Sequence, residues 1–205
     1  MGIWVERVVP HIINKACGMK VTVPLRERVC AGLAGDVLEV GFGTGHNVPY
    51  YPAEVRQVWA VEPSDLAWKL AGARLEATGV PVRRAGLDGQ RLPFEDDTFD
   101  TALSTWTLCT IPDAHAALTE IRRVLKPGGT LHFVEHGLAP DEKVRRMQRR
   151  IEPLNKAAFG GCHLTRRIAD LIVKSGFTIK ELDEFYEDGA PKFAGADSLG
   201  MAMAG

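Results

Sequence analysis

Short apolar runs and amphipathic stretches take turns along the middle of the chain. Val37, Leu38 and Val40 form one run, and others follow at 57–61, 80–85, 99–104 and 130–134, the last ending at Glu135-His136. Runs of this length bounded by turn residues read as buried strands. Between them the spacing is helical. Ser64 is a good N-cap for a helix over 65–77 that Gly79 would close. Over 113–125, Ala114, Ala117, Leu118, Ile121, Val124 and Leu125 form a stripe, Glu120, Arg122 and Arg123 face water, and Lys126-Pro127-Gly128-Gly129 stops the helix. Outside this core, Ile3, Trp4, Val8, Ile12 and Cys17 space out a helix over 3–17, and Pro24 sits in the first turn of another over 22–33. Towards the C-terminus a basic stretch over 143–156 reads as a solvated helix face. A helix over 165–175 closed by Gly176 comes next, then strands at 177–185 and 199–204. Strand–helix alternation of this kind predicts an α/β fold: a doubly wound, mostly parallel seven-stranded sheet with helices on both faces and the last strand antiparallel. The chain reads as one domain over 1–205, with helices at 1–33, a ligand-binding core at 34–136, and further helices and final strands at 137–205. The first helix is expected to pack on the body or to close over a pocket.

The stretch 36–47 organises the site. Gly41, Gly43 and Gly45 follow the first strand at alternate positions, so a tight turn can bring bare backbone against a ligand. A dinucleotide fingerprint would read G-x-G-x-x-G and aim a helix N-terminus at a pyrophosphate. Here the spacing is G-x-G-x-G, and Glu39 stands two residues before the first glycine, where it would repel phosphate. That carboxylate suits a cationic ligand such as the amino and sulfonium groups of S-adenosylmethionine (SAM). Glu62 ends the second strand 21 positions after Gly41, close to the spacing of about 20 at which an acid meets ribose hydroxyls. An acid after a strand is ordinarily surface punctuation; at this distance from a glycine turn it reads as a sugar ligand. Gly41–Gly45, Glu62, Asp88 and Ser104–Trp106 all fall at the carboxyl edge of the strands, where ligands of such sheets bind.

Composition narrows the setting without naming a function. The 205 residues are 45% hydrophobic and 25% charged, with a formal net charge of -1, which gives no global pull towards nucleic acid or anionic membrane. No apolar run is long enough to span a bilayer, and Glu6, Arg7 and His11 interrupt any signal-like start. Cys17, Cys30, Cys109 and Cys162 lie far apart without a C-x-x-C, which reads as reduced thiols in a cytoplasmic protein and predicts no metal site.

Four stretches resemble the motifs of class I SAM-dependent methyltransferases. They are Leu38-Glu39-Val40-Gly41-Phe42-Gly43-Thr44-Gly45, Val61-Glu62-Pro63, Asp88-Gly89-Gln90-Arg91-Leu92-Pro93-Phe94 followed by Phe99-Asp100, and Arg123-Val124-Leu125-Lys126-Pro127-Gly128-Gly129. A narrower likeness joins Gly45–Pro52, Leu108-Cys109, Val134-Glu135-His136 and Gly161-Cys162-His163-Leu164-Thr165-Arg166 to a branch of small bacterial methyltransferases. That branch resembles alkyl-thiol methyltransferases, whose N-terminal membrane segment has no counterpart here, and includes phospholipid and quinone methyltransferases. The resemblance implies SAM as cofactor and S-adenosylhomocysteine as product. It implies that Glu62 binds the ribose, that Asp88 and the Gly89 amide meet adenine, that the Gly41 backbone and Thr105 meet the methionine part, and that Pro63 and Trp106 are among the cofactor contacts. Glu39, Gly43, Thr44, Gly45 and Asn47 complete the expected cofactor set. Phe42, at a position where small residues are commoner, is expected to wall the pocket.

Methyl transfer from a sulfonium is an in-line displacement that needs alignment and exclusion of water. A thiol acceptor can arrive as thiolate; a hydroxyl would gain from a base, for which His136 is the best-placed candidate and His163 the next. The expected partner is a small, apolar molecule bearing a thiol, hydroxyl or amine, without nucleic acid and without a transmembrane segment, leaving peripheral membrane contact open. An NAD-dependent oxidoreductase and a non-catalytic SAM-binding partner protein remain as rivals. A nucleic-acid methyltransferase lacks its N-P-P-Y-type tetrad, because Ser104-Thr105-Trp106-Thr107 stands in that place.

Overall fold

The computed structural model describes residues 7–86 and 88–205. The Ile3-Trp4 end of the expected first helix and Leu87 lie outside them. Two helices open the described chain, α1 (Val9–Cys17) and α2 (Val23–Cys30). The core then runs β1 (Gly35–Val40), β2 (Val55–Val61), α3 (Asp65–Leu70), α4 (Gly72–Ala77), β3 (Val82–Gly86), β4 (Phe99–Thr105), α5 (Ala114–Val124) and β5 (Leu125–His136). The C-terminal part is α6 (Glu142–Ala158), α7 (Ile168–Lys174), β6 (Phe177–Tyr186) and β7 (Ala196–Ala204).

All seven strands join one sheet in the order β3-β2-β1-β4-β5-β7-β6. The first five are parallel, and β7 runs antiparallel to both β5 and β6. Successive side chains of a strand point to opposite faces, and both faces are apolar here. Leu38, Val40, Leu131 and Phe133 pack with Leu118 and Ile121 of α5 and with Ile168 and Ile172 of α7. Val37, Leu103 and Val134 pack on the other side with Leu25, Val29 and Cys30 of α2. Near-continuous burial of the strands is what helices on both faces require.

Three local expectations need correction. The stretch 65–77 is two short helices meeting at Ala71, where glycine at the next position weakens the helix. Ser64 does cap it, accepting from the Ala67 amide at 3.1 Å. The second helix ends before Gly79, at Thr78, which is extended and whose Oγ1 accepts from the Val80 amide. Finally, Lys126–Gly129 does not precede the fifth strand. It is looped out within β5, so that Phe99 pairs with Leu125 and Thr101 with Thr130, with Gly128 at φ +77° making the bend.

Candidate active site

The parallel strands end at Val40, Val61, Gly86, Thr105 and His136, and the expected ligand residues gather along that edge. Glu39 is buried on β1. Its carboxylate accepts from Asn47 Nδ2 at 2.9 Å and from the Tyr51 hydroxyl. The Asn47 amide also donates to Thr105 Oγ1 at 3.0 Å, and the Arg26 guanidinium of α2 donates to Asn47 Oδ1. Burial lifts the Glu39 carboxyl to about 7, against the pull of Tyr51, Asn47 and Arg26. A carboxylate held in a dry setting at the strand ends is a natural counter-charge for a cationic ligand.

The glycine turn has an unexpected hydrogen-bond pattern. The Gly41 and Phe42 amides both donate to Val61 O, the Gly45 amide to Phe42 O, and the Gly43 amide to Glu62 Oε2 at 2.7 Å. Those donors are not free to cradle a phosphate, and only a single turn, Val48–Tyr50, follows. A dinucleotide pyrophosphate would need the amides and a helix N-terminus, so the geometry opposes the nicotinamide reading. Glu62 Oε1 accepts from the Ser64 amide at 2.7 Å. Each carboxylate oxygen thus holds one backbone amide and keeps a lone pair for a hydroxyl. Gly43 has φ +59°, and a Cβ there would meet only the Gly41 carbonyl, at 3.9 Å, so ligand can approach its backbone. Burial raises the Glu62 carboxyl, opposed by those two amides and by Arg84.

Other expected residues are placed less simply. Gly41 is required by packing as well as by its φ of +76°, since a Cβ there would fall 2.0 Å from Thr107 Oγ1. Thr44 is buried and its hydroxyl has no partner. Gly45 has φ +76° and fits against Phe42 and Ala71. Pro63 is exposed at the rim. Asp88 is exposed, with Oδ1 taken by the Gln90 amide and side chain, and Gly89 packs close over Val40. Trp106 has φ +48° and lies between Arg26, whose guanidinium carbon is 4.8 Å from the ring centre, and His136, whose ring centre is 6.3 Å away. Phe42 does not wall the pocket. It is buried against Trp68, Val48, Ala60 and Ala71 beneath α3, because the turn directs it away from the crevice.

The sequence reading missed four residues here. Arg26 is 4% exposed on α2, and the Tyr51 hydroxyl is the second partner of Glu39, beside the Asn47 amide. Glu135 is fully buried and holds the loop after β4, accepting from Ser104 Oγ at 2.7 Å, the Thr107 amide at 3.0 Å and the Cys109 amide at 3.2 Å. Asp197 faces His136 across the β5–β7 ladder. A charged residue within an apolar helix stripe was the available signal for Arg26.

His136 sits at the end of β5, its Nδ1 4.0 Å from Cys162 Sγ and its Nε2 3.6 Å from Asp197 Oδ1. Burial pulls its pKa down, yet Cys162 and Asp197 outweigh that and push it up to about 9. The Cys109 and Cys162 sulfurs are 3.6 Å apart. Cys109 keeps its proton and donates to Cys162, whose thiol is driven down towards the thiolate by that bond and by His136, against burial. Both thiols are free and buried, and the fold sets them side by side although they are far apart in the chain. His163 pairs instead with Glu152, its Nδ1 3.3 Å from Oε1.

Known proteins share this architecture. Residues 38–133 match the family model described as a methyltransferase domain. A thiol S-methyltransferase of Rattus norvegicus is 33% identical over 72% of this chain and 62% of its own length. A phosphatidylethanolamine N-methyltransferase of Cereibacter sphaeroides is 33% identical over 57% of this chain and 60% of its own. The chain spans about three fifths of the length of these relatives. In three dimensions a SAM-dependent methyltransferase of Thermotoga maritima superposes with a TM-score of 0.69 over 99% of this chain and 100% of that one, at 24% identity. One from Aquifex aeolicus gives 0.68 over 96% and 98%, at 19% identity. Sequence and fold point the same way: residues 38–133 match a methyltransferase domain, and the whole described chain has the fold of SAM-dependent methyltransferases of known structure.

Proposed function

We propose that this chain transfers the methyl group of SAM to a small, apolar acceptor, with a thiol as the preferred nucleophile. The observation that carries the reading is Glu62, which keeps one lone pair on each oxygen beside the open backbone of Gly43. Two adjacent ribose hydroxyls match that arrangement. Glu39, with Asn47 and Thr105, supplies the counter-charge for a cationic amino-acid moiety, and Asp88 keeps Oδ2 for an exocyclic amine. When bound, SAM supplies a methyl group already activated by its sulfonium.

The chain's own task is to align and to exclude water. Alignment alone can supply roughly 7–11 kcal/mol of a barrier. Glu135 fixes the 104–109 loop beside the crevice, and Arg26 and Trp106 close it on the side of α2. No base is assigned. Both ring nitrogens of His136 are directed at protein groups, Nδ1 at Cys162 and Nε2 at Asp197, so neither is turned to an acceptor. A thiol, which can release its proton to water before reaction, is the acceptor that needs none. The thiol S-methyltransferase relatives favour the same choice. The test is transfer of labelled methyl from SAM to a panel of apolar thiols, phenols, amines and quinones. Labelled thioether should dominate. Label confined to phenols or quinones would overturn the thiol preference, and no label anywhere would overturn the enzyme.

A further inference from the structure

Cys109 follows β4, His136 ends β5 and Cys162 lies in the loop after α6; the fold brings these three distant segments to one point. Their donor atoms all lie within 4.8 Å of one another, with 3.6 Å between the two sulfurs and 4.0 Å between Cys162 Sγ and His136 Nδ1. Tetrahedral zinc, with Zn–S near 2.3 Å and Zn–N near 2.0–2.1 Å, sets two sulfurs about 3.8 Å apart and sulfur and nitrogen about 3.6 Å apart. The observed spacings need only a few tenths of an ångström of adjustment. Behind the imidazole, Nε2 faces Asp197 Oδ1 at 3.6 Å, and neither oxygen of that fully buried carboxylate has a hydrogen-bond partner. An acid behind the outer nitrogen of a histidine whose inner nitrogen faces the donors is the carboxylate–histidine–metal order of metal sites. The surrounding backbone is also fixed. The Cys109 amide is held by Glu135 at 3.2 Å, and Asn155 Nδ2 donates to Cys162 O at 2.8 Å.

We propose that Cys109, His136 and Cys162 bind a zinc-class divalent cation, with Asp197 orienting the histidine and the fourth position open to water. Two thiolates balance the charge of the ion, and thiolate with imidazole selects zinc over magnesium or calcium. Glu187 and Asp197 also lie within reach of His136, but a cation held there would be an oxygen-rich site without sulfur. The metal reading is independent of the methyl donor.

The test is cobalt(II) titration of the full chain, purified anaerobically under reducing conditions, followed by zinc displacement and elemental analysis. The wild type should take up a single equivalent of cobalt, with thiolate-to-metal charge-transfer and tetrahedral ligand-field bands, and zinc should bleach them. Cys162→Ser and His136→Ala should abolish the bands, while Cys17→Ser keeps them. Asp197→Asn, which preserves shape, should lower zinc affinity about 10- to 100-fold with an unchanged melting curve, so loss of fold cannot mimic the result. Bands unaffected by Cys162→Ser, no uptake by the reduced protein, a spectrum without sulfur character, or a Cys109–Cys162 disulfide that zinc does not prevent would each overturn the site. S-adenosylhomocysteine titrated into the same samples reports the donor crevice separately.

Discussion

Glu39 shows what a single burial does to the chemistry. Its carboxyl titrates near 7 because the pocket is dry, while Arg26 and Tyr51 face it and Cys30 lies close behind. In the unfolded chain it would ionise near 4.5. Between those values the native state holds the extra proton, so this residue makes stability fall as pH rises from about 4.5 to about 7 and not beyond. Chemical denaturation at several pH values should show that slope shrinking in Glu39→Gln. Binding of a cation needs the ionised form, so SAM affinity should climb by up to roughly tenfold per pH unit below about 7 and level off above it. Calorimetric titration across that range checks this, and a flat profile would remove Glu39 from the site. The sequence declared the residue through its place before the glycine turn. It could not declare the protonation state, which comes from Tyr51, Asn47 and Arg26 converging from other segments.

At the scale of elements, periodicity was the reliable guide. The α5 stripe lies fully inside, with Leu118 and Ile121 at 0% exposure. Leu118→Ala should cost about 2–5 kcal/mol in a denaturant melt. Helix α2 is equally part of the core through Leu25, Val29 and Cys30, and it carries Arg26 into the site. Helix α1 is held differently. Only Val9 and Pro10 are buried on it, and Asn14 clasps His46 of the glycine turn at 3.0 Å through its carbonyl and 3.1 Å through its side chain. The two roles expected of the first helix, packing on the body or closing over a pocket, can be told apart at this contact. Asn14→Ala should speed dissociation of S-adenosylhomocysteine several-fold in stopped flow while leaving the melting curve nearly unchanged; an unaltered off-rate would leave α1 a passive cover. Helix ends were less legible: 65–77 breaks at Ala71, just before Gly72, and ends at Thr78 ahead of Gly79, while Lys126–Gly129 loops out within β5.

Across the whole molecule, the parallel order fixes one productive edge. Motifs far apart in the chain meet there because β1, β2 and β4 end side by side, and that much follows from strand–helix alternation. The C-terminal contribution was hidden. Antiparallel β7 sets Asp197 directly opposite His136, and the loop after α6 returns Cys162 to Cys109. No local spacing announces such contacts, which arise from register and loop return. Among the described residues no helix is long and apolar enough to cross a membrane. If the crevice is the donor site, S-adenosylhomocysteine at 100 times its Kd should stabilise the fold by about 2.7 kcal/mol. For a chain of this size that is a rise in Tm of roughly 5–11 °C.

Isothermal titration of S-adenosylhomocysteine into the wild type and Glu62→Ala, both shown folded by their melting curves, tests the central claim most directly. A single site in the wild type, weakened roughly 10- to 150-fold by loss of the carboxylate, is the predicted result. Equal affinity in the two proteins, or no heat in either, would contradict it.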